Sequence, residues 1–116
     1  MTSKELNLKL LKYLPEVKER YEDEVSWQDG DDTGSHVVFG DVVFPYIVEH
    51  KEDSGVVRNC FAVIENLLKT NDEYAEEVVL LSVLENLLHE QPENRDWIEF
   101  MGEKTKVLYA ELMKEY

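Results

Sequence analysis

Apolar residues recur at three- and four-residue intervals through most of this chain, and that period belongs to helices. Leu11, Leu14, Val17, Tyr21 and Val25 make one such stripe across 4–14 and 16–25. Pro15 interrupts it. Proline is tolerated in a first helical turn and disrupts an interior one, so the pattern predicts two helices with Pro15 opening the second. Trp27 closes the segment, and QDGDDTGS after it is a loop by composition.

The stretch HVVFGDVVFPYIVEH, 36–50, carries conflicting signals. Its β-branched and aromatic residues favour strand, whereas Pro45 and the length of PYIVEHKED favour a helix starting near Pro45. A short extended segment near 37–44 followed by that helix reconciles the two. Beyond it the helical period is clear: Val57, Cys60, Phe61, Ile64, Leu67 and Leu68 stripe 55–69. Thr70, three residues before Glu73, predicts a capping box opening a helix across 71–89.

On that helix Val79, Leu80, Val83, Leu84, Leu87 and Leu88 cover a wide arc and leave a narrow polar seam of Ser82, Glu85 and His89. It should be the most buried helix, paired with 55–69 in an antiparallel hairpin. Pro92 opens a further helix carrying Trp97, Ile98 and Met101, Gly102 is placed to end it, and a terminal helix follows with Val107, Leu108 and Leu112. The expectation is an all-α fold of five to six short helices, arranged as an irregular bundle or a HEAT-like stack of hairpins.

A length of 116 residues suits a single helical domain, 1–116. The run VVLLSVL at 78–84 is far short of the roughly 18 apolar residues that span a bilayer, and no signal-peptide core follows the first residues. A soluble, cytoplasmic protein is expected. The single Cys60 permits no intrachain disulfide and fits a reducing compartment; centred on an apolar stripe, it reads as a core residue and not a nucleophile.

Net charge of −14 changes the picture more than length does. Residues 16–32 carry eight acids against Lys18 and Arg20, a net −6; residues 70–103 carry ten against Arg95, a net −9; the remainder sums to +1. Such a field disfavours nucleic acid and membrane as partners and steers basic proteins in, although acidity can also serve solubility alone.

The most suggestive chemistry is DGDDTGSH at 29–36. Set on a calcium loop, Asp29, Asp31, Thr33, Gly34 and Ser35 fall in acceptable places, but Val37 and Gly40 occupy positions 9 and 12, so the bidentate acid is missing. An acidic flexible loop is the simpler reading. His36, His50 and His89 have no metal-ligand spacing to one another or to Cys60, and Glu85 with His89 reads as a solvated edge. With no Ser-His-Asp pattern and no phosphate-cradling glycine loop, the expectation is no catalytic residue, no metal and no cofactor.

What remains is surface. Trp27 beside the acidic loop is either a cap on the core or an exposed anchor, and the burial preference of tryptophan favours the core. Tyr46 and Tyr74 carry the same ambiguity. One exposed aromatic among these acids would have the chemistry of a binding hot spot. The candidate partner-binding residues are Trp27, Asp29, Asp31, Asp32, Asp41, Tyr46, Glu49, Glu73 and Glu77.

At HVVFGDVVFPYIVE and again at MGEKTKVLYAEL the chain resembles a family of small, acidic, uncharacterised bacterial proteins. The resemblance covers most of the chain from about Pro15, implies a helical fold and carries over no catalytic residue. In size and charge such proteins are similar to the immunity proteins that bacteria encode beside their toxins. The resulting expectation is a non-enzymatic immunity-type protein that binds a basic toxin, such as a nuclease, through acidic surface. A helical adaptor without a toxin partner is the alternative, followed by a weak divalent-cation binder; the oligomeric state is left open.

Overall fold

Six helices make up most of residues 1–90 and 96–115, the part of the chain that the computed structural model describes. The first, α1 (Ser3–Tyr13), starts on a capping box: the Thr2 hydroxyl accepts the Glu5 N–H at 3.1 Å, and the Glu5 carboxylate accepts the Thr2 N–H at 3.1 Å. As the proline pattern predicts, α1 ends before Pro15, which opens a single 3-10 turn (Pro15–Val17) leading into α2 (Lys18–Val25). Leu6, Leu10, Leu14, Val17, Tyr21 and Val25 are all buried.

The expected extended segment near 37–44 does not exist. A continuous helix, α3, spans 35–49, beginning well ahead of Pro45; it consists of an α turn (Ser35–Val38), a π-helical stretch (Phe39–Val43) and a closing α segment (Phe44–Glu49). Burial overrides strand propensity here, because Val38, Phe39, Val42, Val43 and Ile47 fall on one helical face and all are buried. The π stretch also makes room for Pro45. A proline clashes with the carbonyl four residues back, and that carbonyl, on Asp41, lies in the widened turn.

Helix α4 (Ser54–Leu68) is capped by Asp53, whose carboxylate accepts the Val56 N–H at 3.2 Å, and its whole expected stripe is buried. The predicted Thr70 cap is displaced by two residues. The Thr70 hydroxyl instead donates back to the Leu67 carbonyl at 2.7 Å, Asn71 turns the chain at a φ of 56°, and Asp72 caps the next helix by accepting the Ala75 N–H at 2.9 Å. That helix, α5, spans 73–90 and also contains a π stretch, Val79–Leu84.

The expected start at Pro92 lies outside the described residues. Asp96–Phe100 is a 3-10 turn that buries Trp97 against Phe61, with ring centroids 6.2 Å apart. Gly102 has extended φ and ψ of −76° and 177° and is not a left-handed stop; it stands at the start of α6 (Glu103–Lys114). Its backbone lies against Glu65 of α4, whose buried carboxylate accepts the Lys104 N–H at 3.1 Å and, at 3.0 and 2.8 Å, the Thr105 N–H and hydroxyl. A carboxylate at a helix N-terminus also meets the positive end of the helix dipole.

Alternate helices pack together, α3 on α5 and α4 on α6, in place of the antiparallel α4–α5 pairing expected at the core. The α3–α5 contact is parallel and joins the two π stretches, with Gly40 facing the backbone of Ser82. Helices α4 and α5 meet near their connecting turn. Among the described residues no helix is long and apolar enough to cross a membrane.

Candidate partner-binding surfaces

The 29–36 loop is not the flexible acidic loop expected. It is folded onto α1 and α2 through a 3-10 turn (Gly30–Asp32) that Gly30 enters with a φ of 58°. The buried Asn7 amide donates to the carbonyls of Asp31 at 3.1 Å and Thr33 at 2.8 Å, and its oxygen accepts the Ser35 hydroxyl at 2.8 Å. The Tyr21 hydroxyl donates to the Asp31 carboxylate at 2.7 Å; burial and this acidic partner together push the phenol well above its ordinary range. Of the candidate calcium-loop side chains, Asp31 is thus engaged by Tyr21 and Ser35 by Asn7. Among the described residues no three His, Cys, Asp or Glu side chains converge to hold a metal ion.

Beside this rigid loop, Trp27 is 73% exposed, which overturns its expected place on the core. The reason is angular. Val17, Tyr21 and Val25 define the inward face of α2, and a residue two beyond Val25 is turned roughly 200° away from it. Around Trp27 the chain places Glu22, Asp23, Asp29 and Asp32, all exposed. Of these only Glu22 has a cationic partner among the described residues, an exposed contact with Lys18 at 3.9 Å that contributes little.

The remaining candidates lie elsewhere. Tyr46 and Glu49 sit one turn apart on α3, and both are engaged by Arg20 of α2: its guanidinium pairs with Glu49 and lies 5.7 Å from the Tyr46 ring centroid. Tyr46 is half-buried, and burial raises its phenol above the ordinary value. Asp41 is exposed on the π turn of α3. Glu73 and Glu77 line a recess of about 380 Å³ with Glu76, Leu80 and Leu81. The nine candidates therefore divide among separate places, and only the segment around Trp27 combines an exposed aromatic with free acids.

A Ser-His pair does form, between His36 Nδ1 and Ser82 Oγ at 2.9 Å. The hydroxyl belongs to a buried residue, and the His36 ring packs edge-on to Tyr74 with centroids 5.8 Å apart. Tyr74 in turn shares a hydrogen bond with Ser3 at 2.7 Å, so this network links α1, α3 and α5 at their polar contacts. Cys60 is buried as expected, and burial pushes its thiol up to about 12, far from a reactive thiolate.

A family model described as a domain of unknown function (DUF7674) matches residues 7–115. The chain belongs to this family. No curated protein and no solved structure matches it. The matched range takes in the Trp27 segment, both π stretches and the Glu65–Gly102 contact.

Sequence reasoning missed a second surface. Helix α6 and the start of α5 enclose a recess of about 500 Å³ lined by Leu68, Glu76, Glu103, Val107, Leu108 and Glu111, with Asn71 and Lys104 at its edge. Val107, expected in the apolar stripe of α6, is 59% exposed there. Leu81 is 44% exposed while Ser82, placed by the sequence on the polar seam, is buried beneath α3. The burial of Ser82 is invisible to the period of the 79–88 stripe, because the π stretch shifts the register inside it.

Proposed function

We propose that this chain is a non-enzymatic interaction protein of the immunity type, which neutralises a basic protein such as a nuclease toxin by covering its cationic active site. The observation that carries this reading is the exposure of Trp27 beside Asp23, Asp29 and Asp32, which have no cationic partner among the described residues, next to a loop held by hydrogen bonds from Asn7 and Tyr21. An enzyme that binds phosphates needs a basic site, and an acidic partner is steered to it and competes for the same charges. The aromatic ring supplies the dehydrated anchor that charge alone does not. A loop already ordered before binding loses little entropy on association.

The test is capture of a basic partner from cells carrying the neighbouring genes, followed by association kinetics. Asp31 holds Tyr21, so the charge variant is Asp29→Asn with Asp32→Asn, two exposed residues whose loss leaves the fold intact. It should slow association several-fold and flatten its salt dependence, whereas Trp27→Ala should chiefly speed dissociation, by about 30-fold or more. Equal rates for wild type and variants would separate both features from recognition, and capture of no basic partner would favour the adaptor reading.

A further inference from the structure

The recess beside α6 adjoins the one formed by Glu73, Glu77, Leu80 and Leu81, with Glu76 lining both, and the two neighbouring recesses make up a groove. Its aliphatic lining is Leu68, Leu80, Leu81, Val107 and Leu108, of which Val107 and Leu81 are 59% and 44% exposed. Its rim is acidic, with Glu73, Glu76, Glu77, Glu103 and Glu111. The sole basic side chain lining it, Lys104, hydrogen-bonds to Asn71 at 3.2 Å. None of the five glutamates has a cationic partner among the described residues.

We propose that this groove is a second docking site, and that its occupant is a basic amphipathic helix of a partner protein. Each part of that description follows from the groove. Exposed valine and leucine beside a recess demand an apolar stripe on whatever covers them. The five glutamates demand lysine or arginine on either side of the stripe, since acids or neutral groups would leave that charge unanswered. A second copy of this chain is excluded by the same count, because it would bring a net charge of −14 against the rim. Backbone pairing is unavailable, since the groove walls are helices whose backbone groups are already bonded and the described residues contain no strand edge. Packing of a helix stripe into a groove is the recognition mode that remains. The wall from Glu103 to Glu111 runs about 12 Å, room for about two turns of such a helix.

The site is distinct from the surface around Trp27, and the two can fail separately. The probes are two synthetic peptides of identical composition, leucine and lysine in about 14 residues: one sets its leucines on a single helical stripe, the other has the order scrambled. Both are titrated into the isotope-labelled protein at about 150 mM salt, where weak surface attraction is screened. The striped peptide should bind at least about 10-fold more tightly than the scrambled one and shift the amide resonances of Glu76, Leu81, Val107 and Glu111. Leu81→Ser combined with Val107→Ser should weaken the striped peptide by about 10-fold and leave the scrambled one unchanged; Glu76→Gln with Glu103→Gln should weaken both and flatten the salt dependence. Trp27→Ala should change none of these values. Equal binding of the two peptides, or shifts confined to the 27–32 segment, would overturn the groove as a docking site while leaving the Trp27 surface untouched.

Discussion

Glu65→Ala is expected to destabilise the protein by about 2–4 kcal/mol, because one buried carboxylate serves three donors at the start of α6. Removing it leaves the Thr105 N–H and hydroxyl unpaired in the interior and detaches α6 from α4. Gly102 is the other half of this contact. A methyl group there would fall inside van der Waals contact of the Glu65 side chain, which its three hydrogen bonds hold in place, so Gly102→Ala should cost about 1–3 kcal/mol even though its φ is open to any residue. The two effects share one cause and should not add: in the Glu65→Ala background, Gly102→Ala should be nearly neutral. Urea titrations of the four proteins measure the cycle, and full additivity would show that the two residues act independently.

The same contact predicts a pH dependence. Burial pushes the Glu65 carboxyl up, but the hydrogen bonds from Thr105 and Lys104 outweigh it and leave the folded value below the ordinary 4.5. A group with a depressed folded value stabilises fully above its unfolded value, and that contribution disappears as pH falls through the folded one. Glu65→Gln should therefore lose less stability than wild type on acidification below about pH 4.5. An unchanged acid limb would place the proton uptake on other carboxylates.

Where the apolar period is regular, the fold is readable without coordinates. The stripe of α4 is buried residue for residue, and Pro15 divides α1 from α2 as its ring chemistry requires. Thr2 and Glu5 form a capping box that their spacing displays openly, whereas Thr70 and Glu73 have the same spacing and form none, because Asn71 takes a left-handed turn and Asp72 assumes the cap. The extended reading of 37–44 fails because strand propensity is the weaker signal there: Val38, Val42 and Val43 already repeat at helical intervals.

The surfaces were less legible, for two different reasons. Trp27 lies off the face defined by Tyr21 and Val25, so its exposure follows from α2 alone once angle is preferred to residue type. The groove cannot be read that way. Leu81 and Val107 are distant in sequence and line neighbouring recesses that share Glu76 only because α6 packs on α4 and the π stretch of α5, where Ser82 faces α3. His36 and Ser82 likewise meet only through packing of the two π stretches, which no motif spacing records.

Burial differs sharply between two leucines in one π stretch. Leu84 is fully buried and continues into the Leu87–Leu88 face of α5, so Leu84→Ala should cost about 2–5 kcal/mol, the lost transfer free energy plus the cavity left in a core that cannot close around it. Leu81, three residues earlier, is half in solvent, and Leu81→Ala should stay within about 1 kcal/mol of wild type. Urea unfolding with an unchanged slope separates loss of stability from a change in the unfolded chain. The pair also divides folding from recognition: Leu84→Ala should lower the unfolding midpoint and leave the groove's affinity for the striped peptide intact as long as the protein is folded, whereas Leu81→Ala should weaken that affinity with little change in the midpoint. A large stability loss at Leu81 would mean that Leu81 faces inward, and the groove would lose one of its two exposed apolar contacts.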